Sequence, residues 1–90
     1  MTVLKKPRQK PDYRLEKLEN EILLYHPAKT QVLYLNETAS LIWKLCDGTR
    51  TTAEITQLLE DAFPEHAAKI RDEVDSTLRS FVEQDAMEFA

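Results

Sequence analysis

What this chain has little of sets the first limits on it. Among its 90 residues there is one glycine, Gly48. A phosphate-cradling loop needs several backbone positions free of side chains, so a glycine-rich loop of that kind is excluded. Cys46 is the only cysteine, which rules out an internal disulfide and a cysteine-based metal site. The two histidines, His26 and His66, lie far apart, and neither has metal-ligand spacing to Cys, Asp or Glu. A basic excess is missing too: 12 Lys and Arg stand against 16 Asp and Glu, a net charge of −4. That balance leaves no electrostatic footprint for nucleic acid. No apolar run approaches membrane-spanning length, and the N-terminus lacks the apolar core of a signal peptide. The expectation is a cytoplasmic protein with no metal and no cofactor. With no phosphate loop, no metal cluster and no activated nucleophile, it is also expected not to be an enzyme.

What is present is enough for a fold. A hydrophobic fraction of 42% supports one small domain with one modest core. The organising stretch runs from Gln31 to Arg50. Val32, Leu33, Tyr34 and Leu35 are types that suit a strand. Asn36 can cap the helix that follows, and Glu37 stands where the helix dipole favours negative charge. Ala39, Ile42, Trp43 and Cys46 recur at helical spacing and predict one buried face. Asp47-Gly48 ends that helix, with glycine at the left-handed position.

Ahead of this junction the chain reads as strand. Residues 1–11 are basic, carry no acid and hold two prolines, so a flexible basic arm is expected there, with the folded domain over residues 12–90. Tyr13 to Leu18, Glu21 to His26 and Gln31 to Leu35 predict three strands joined by short turns, hence an antiparallel meander. Ile22 and Leu24 oppose Leu23 and Tyr25, and Val32 and Tyr34 oppose Leu33 and Leu35. A sheet with one wet face should alternate apolar with polar. Apolar residues on both faces imply a cover, supplied by a second protomer, a partner or the N-terminal arm.

Beyond the junction the chain reads as helix. Thr51 and Glu54 form a capping box for a second helix, with Ile55, Leu58, Leu59, Ala62 and Phe63 as its apolar stripe. Pro64 ends it. A third helix from about Glu65 to Gln84 points Ile70, Val74, Thr77 and Phe81 to the core, with Leu78 and Val82 on one flank beside Arg71 and Asp75. Met87 and Phe89 alternate around Glu88 and suit a short strand.

This order of elements also describes a winged helix-turn-helix. Lys69, Arg71 and Arg79 on the third helix are outnumbered by Glu65, Asp72, Glu73, Asp75 and Glu83, and phosphate would repel such a helix. An acidic winged-helix protein in transcription is the weaker alternative, and a homodimerisation module is a further one.

The ordered set Leu35-Asn36-x-x-Ala39, Ile42-Trp43-x-Leu45, Asp47-Gly48, Thr51 and Glu54-Ile55, followed by Phe63-Pro64 and Ile70-x-x-Glu73-Val74, resembles the PqqD family. It covers roughly Leu23 to Met87. The resemblance implies an α+β, winged-helix-like fold, a three-stranded antiparallel sheet followed by a three-helix bundle. It implies a peptide chaperone, or RiPP recognition element, that binds the leader of a ribosomally made precursor peptide. The leader would be presented to a modifying enzyme of radical SAM type, in pyrroloquinoline quinone biosynthesis or a related pathway. Family members add the leader as a strand beside the third strand, in a groove walled by the third helix. Carried over, the groove residues are Val32, Leu33, Tyr34 and Leu35, facing Arg71, Val74, Asp75 and Leu78. The sequence departs from the family pattern at His26-Pro27-Ala28-Lys29, in place of a Pro-Glu-Gly turn, and at Asp85-Ala86, where relatives carry glycine.

Overall fold

The computed structural model describes residues 5–89. Its elements in chain order are strands β1 (Pro7–Gln9), β2 (Arg14–Lys17), β3 (Ile22–Tyr25) and β4 (Val32–Leu35), then helices α1 (Glu37–Leu45), α2 (Thr52–Ala62) and α3 (Ala67–Glu83), and strand β5 (Met87–Phe89). A single 3₁₀ turn, Pro64–His66, joins α2 to α3. β2, β3 and β4 form the expected antiparallel meander in that order, and α1, α2 and α3 follow it. Among the described residues, no helix is long and apolar enough to cross a membrane.

The helix starts follow from side chains that accept otherwise unpaired backbone N–H groups. Asn36 Oδ1 accepts from the Ala39 N–H at 2.7 Å. At α2 the capping box is closed on both sides: Thr51 Oγ1 accepts from the Glu54 N–H at 3.1 Å, and Glu54 Oε1 accepts from the Thr51 N–H at 2.8 Å. The Thr51 bonds hold the Glu54 carboxyl below the usual range.

Register decides which strand residues reach the core. Leu24 pairs with Leu15 and Leu33, and Ile22 with Lys17 and Leu35, so these positions share one face. That face packs on Trp43, Ile42, Val74 and Phe81, all buried. Trp43 stands edge-on to Phe81 at 5.2 Å and tilted to Tyr13 at 5.8 Å. The opposite face presents Leu23, Tyr25, Val32 and Tyr34, and Tyr34 is 72% exposed. Among the described residues nothing covers it.

Three expectations need correction. The flexible arm is not free at Pro7–Gln9: β1 pairs antiparallel with β5, Pro7 opposite Phe89 and Gln9 opposite Met87. The first four residues of that arm lie outside the described residues. The stripe of α2 is only partly buried; Ile55 and Leu59 are covered, whereas Leu58 and Phe63 are 45% and 40% exposed. On α3, Leu78 is in the core and Thr77 is half-buried, because the helix turns its Ile70–Val74–Leu78–Phe81 line inward.

Gly48 sits at φ 86°, as its role in the junction requires, though α1 ends earlier, at Leu45. A Cβ there would come within 3.2 Å of Arg8 Cδ, so the glycine also makes room for β1. After α3, Asp85 adopts φ 60°, the left-handed conformation that glycine would take. Ion pairs to Lys10 and Lys29 hold it there. Asp85 therefore makes a left-handed turn of the kind glycine favours, with a carboxylate added.

Candidate groove between the third meander strand and the last helix

β4 is the terminal strand of its sheet. Among the described residues it pairs with β3 alone, and its outer edge keeps unpaired N–H and C=O groups. Such an edge is a liability unless it is covered or used.

Two contacts fix how β4 and α3 lie. Lys29, just ahead of β4, is ion-paired at 3.5 Å with Asp85, just after α3. Glu37 and Thr38, just after β4, line a depression with Ile70 and Glu73 from the first half of α3. The strand and the helix therefore run in opposite directions with their ends tied together. Glu73 marks the flank of α3 that borders this depression, and at 100° per residue Thr77, Ser80 and Gln84 share that flank. Glu73, Thr77 and Gln84 are half-buried.

The expected site residues fall into three places. Val32, Leu33, Tyr34 and Leu35 form β4, Leu33 and Leu35 leaning on the core and Val32 and Tyr34 outward. Val74 and Leu78 are 0% and 4% exposed, so they lie beneath the helix surface and not on it. Arg71 and Asp75 are exposed on the other flank, where they line a depression with Thr52, Ala53, Thr56 and Glu60 of α2. The structure thus joins Arg71 to Asp75 but turns both toward α2. On α3, Glu73 borders the depression that also takes in Glu37 and Thr38, just past β4.

The lower end of the groove is closed by a polar cluster. Lys29 Nζ donates to Tyr13 Oη at 3.0 Å and lies 5.4 Å from the centre of the Tyr13 ring. Lys10 and Lys29 share the Asp85 carboxylate. The Lys10 hydrogen bond, then the charges of both lysines, hold that carboxyl below its ordinary value. His26 has a structural role here: its Nδ1 accepts the Ala28 N–H at 3.0 Å, and its ring stands edge-on to Tyr13 at 5.2 Å. Cys46 is fully buried, and burial first, then the Asp47 charge, pushes its thiol up to about 12. A thiol so protonated is a small hydrophobe, as its place at the end of the buried face of α1 predicts.

The chain has recognisable relatives. A family profile described as "Coenzyme PQQ synthesis protein D (PqqD)" matches residues 21–86, well over half of the chain. Among curated proteins nothing matches. Among solved structures, the chain is similar to the solution NMR structure of the PqqD truncation of Methylobacterium extorquens PqqCD. That protein is described as a functional and stand-alone RiPP recognition element. The two are 26% identical with a TM-score of 0.73, over 91% of this chain and 87% of that one.

Proposed function

The chain belongs to the PqqD family, and from that premise we propose that it is a non-catalytic recognition element for the leader of a ribosomally made precursor peptide. The observation that carries this reading is the unpaired outer edge of β4, with residues just beyond its two ends brought close to the two ends of α3. An extended peptide captured there makes main-chain hydrogen bonds to the strand, and side chains on alternate positions meet the two faces. Its inward residues rest against Leu33 and Leu35 and the Glu73–Thr77–Gln84 side of α3. Its outward residues lie beside Val32 and Tyr34. The bound leader is then presented to a modifying enzyme of radical SAM type, in pyrroloquinoline quinone biosynthesis or in another peptide-modifying pathway. Likeness to a protein described as a RiPP recognition element supports the same role.

The test is calorimetric titration against leader segments of short peptides encoded beside this gene. Low-micromolar or tighter binding that Leu33→Glu abolishes in a folded protein supports the reading. Leu78→Glu is unsuitable as a probe, since that side chain is 4% exposed and its loss would unfold the core. Failure of every neighbouring leader to bind a folded sample overturns the proposal.

A second reading, self-association through the outer sheet face, is favoured by the exposure of Val32 and Tyr34 at 43% and 72%. Light scattering across a concentration series tests it, and a strict monomer at high concentration removes it.

A further inference from the structure

The groove does not end with β4. Past Leu35 it opens into the depression of about 310 Å³ between the start of α1 and the start of α3. Leu41, Phe63 and Ile70 give this depression an apolar floor, and Glu37 and Glu73 give it an acidic rim. We propose that it is a subsite for one lysine or arginine side chain of the peptide bound along β4. The proposal rests on the recognition role argued above and names a chemical class for one residue of the ligand.

Three observations select a basic side chain over an apolar or acidic one. The first is shape and chemistry together, because lysine and arginine lay an apolar stem on a hydrophobic floor and carry the charge to its rim. Phe63, which lines the depression, is 40% exposed, and an aromatic ring so placed can attract a cation. The second is that neither acid is held in a close ion pair. Among the described residues Glu73 makes no ion pair, although Lys69 stands one turn ahead of it. Glu37 meets only Lys17, at 3.9 Å, with both side chains more than two-thirds exposed, a pairing too wet to hold the carboxylate. His66 also borders the depression from the 3₁₀ turn, so the rim is not purely acidic.

The third observation is polarity along the groove. Its other end carries Lys10 and Lys29 around the single carboxylate of Asp85, an excess of one positive charge (two lysines less one aspartate). A charged peptide is therefore oriented as well as held, its basic residue toward Glu37 and Glu73 and any acidic residue toward Lys29. Every strand pair in this protein is antiparallel. A peptide that follows suit along β4 places its basic residue on the N-terminal side of the paired segment.

A positional-scanning library of capped decapeptides, each fixed at one position and mixed elsewhere, tests the subsite. Binding to the full chain is measured by fluorescence anisotropy competition. Wild-type protein is expected to prefer Lys or Arg at one position, by roughly five- to tenfold over Gln. Glu37→Gln with Glu73→Gln should remove that preference. Glu73→Lys should turn the preference toward Asp or Glu. Both carboxylates are at the surface, so these variants keep the fold, which a matching melting curve verifies. Binding that Leu33→Glu abolishes, with no basic preference at any position, overturns the subsite and leaves the recognition role standing. A basic preference that survives the double substitution overturns it as well, and locates the reading residue elsewhere. No binding by any peptide to the folded chain removes both readings together.

Discussion

β1 and β4 are both short strands at the margins of antiparallel sheets, and the chain disposes of their outer edges in opposite ways. One side of β1 pairs with β5. On its other side the Gln9 N–H donates to the Cys46 carbonyl and the Gly48 N–H donates to the Pro7 carbonyl, each at 3.0 Å. Past its end, the Lys10 N–H donates to the Ala86 carbonyl. The Gln9 side chain adds a bond at 2.6 Å to the Trp43 carbonyl. β4 has no such second neighbour among the described residues. A bare edge invites indiscriminate pairing unless it is covered or used, and among the described residues the outer edge of β2 is as bare as that of β4.

Breaking the closed edge should have the largest effect on stability. Gly48→Val forces a β-branched residue into φ 86° and brings its Cβ against the Arg8 side chain. We expect a loss of roughly 2–3 kcal/mol, seen as a fall in Tm on the order of 10 °C. An unchanged Tm would mean that β1 does not depend on the junction. Gln9→Ala is the milder probe. It removes the side-chain bond to Trp43 but keeps the backbone ladder, and should cost about 1 kcal/mol in denaturant unfolding.

The closed edge was also the part of the fold least legible in the sequence. β3 and β4 announce themselves by β-branched, aromatic and aliphatic runs, β2 only by its alternation around Leu15, and Asn36, Thr51 and Glu54 mark their helices by local chemistry. Pro7-Arg8-Gln9 carries no such pattern. It becomes a strand only because Met87–Phe89 and Cys46–Gly48, distant in sequence, converge on it. Helix α3 shows the same limit. Ile70, Val74 and Phe81 of its buried line were readable from the 3.6-residue period, whereas Leu78 fell on a flank, and periodicity does not say which neighbour each flank meets. Arg71 and Asp75 lie on one side of that line and Glu73 and Thr77 on the other, and only tertiary packing distinguishes them.

Asp85 links the two regions, since it pairs with Lys10 next to β1 and with Lys29 next to β4. Its carboxyl is held low in the folded state, first by the Lys10 hydrogen bond. A lowered folded pKa means that the group stabilises the fold fully above the unfolded carboxylate value, near 3.9, and that this contribution is lost as pH falls through the lower folded value. Asp47 and Glu54, also held low, act in the same direction. Asp85→Asn should therefore reduce stability at neutral pH and flatten the acid limb of the stability curve between pH 5 and the folded value. An acid limb identical to that of wild type would show that the clasp contributes nothing.

The smallest stability effect belongs to the open edge, and it sharpens the contrast most. Tyr34 is 72% exposed, so Tyr34→Glu should change unfolding free energy by no more than about 0.5 kcal/mol. Hydrogen exchange in the free protein should show the Gln9, Lys10 and Gly48 amides protected, and the outward amides of β4 open to solvent. Adding a peptide that binds should slow those β4 amides and leave the β1 set as it was. Self-association through the outer face predicts something else: Tyr34→Glu would abolish it, while the edge amides would remain fast in the associated form. Strand addition uses the edge and self-association uses the face, so one exchange experiment on the wild type and on Tyr34→Glu separates them. Edge amides already protected in the free monomer would mean that the chain closes β4 as it closes β1, and the comparison on which the recognition role rests would be lost.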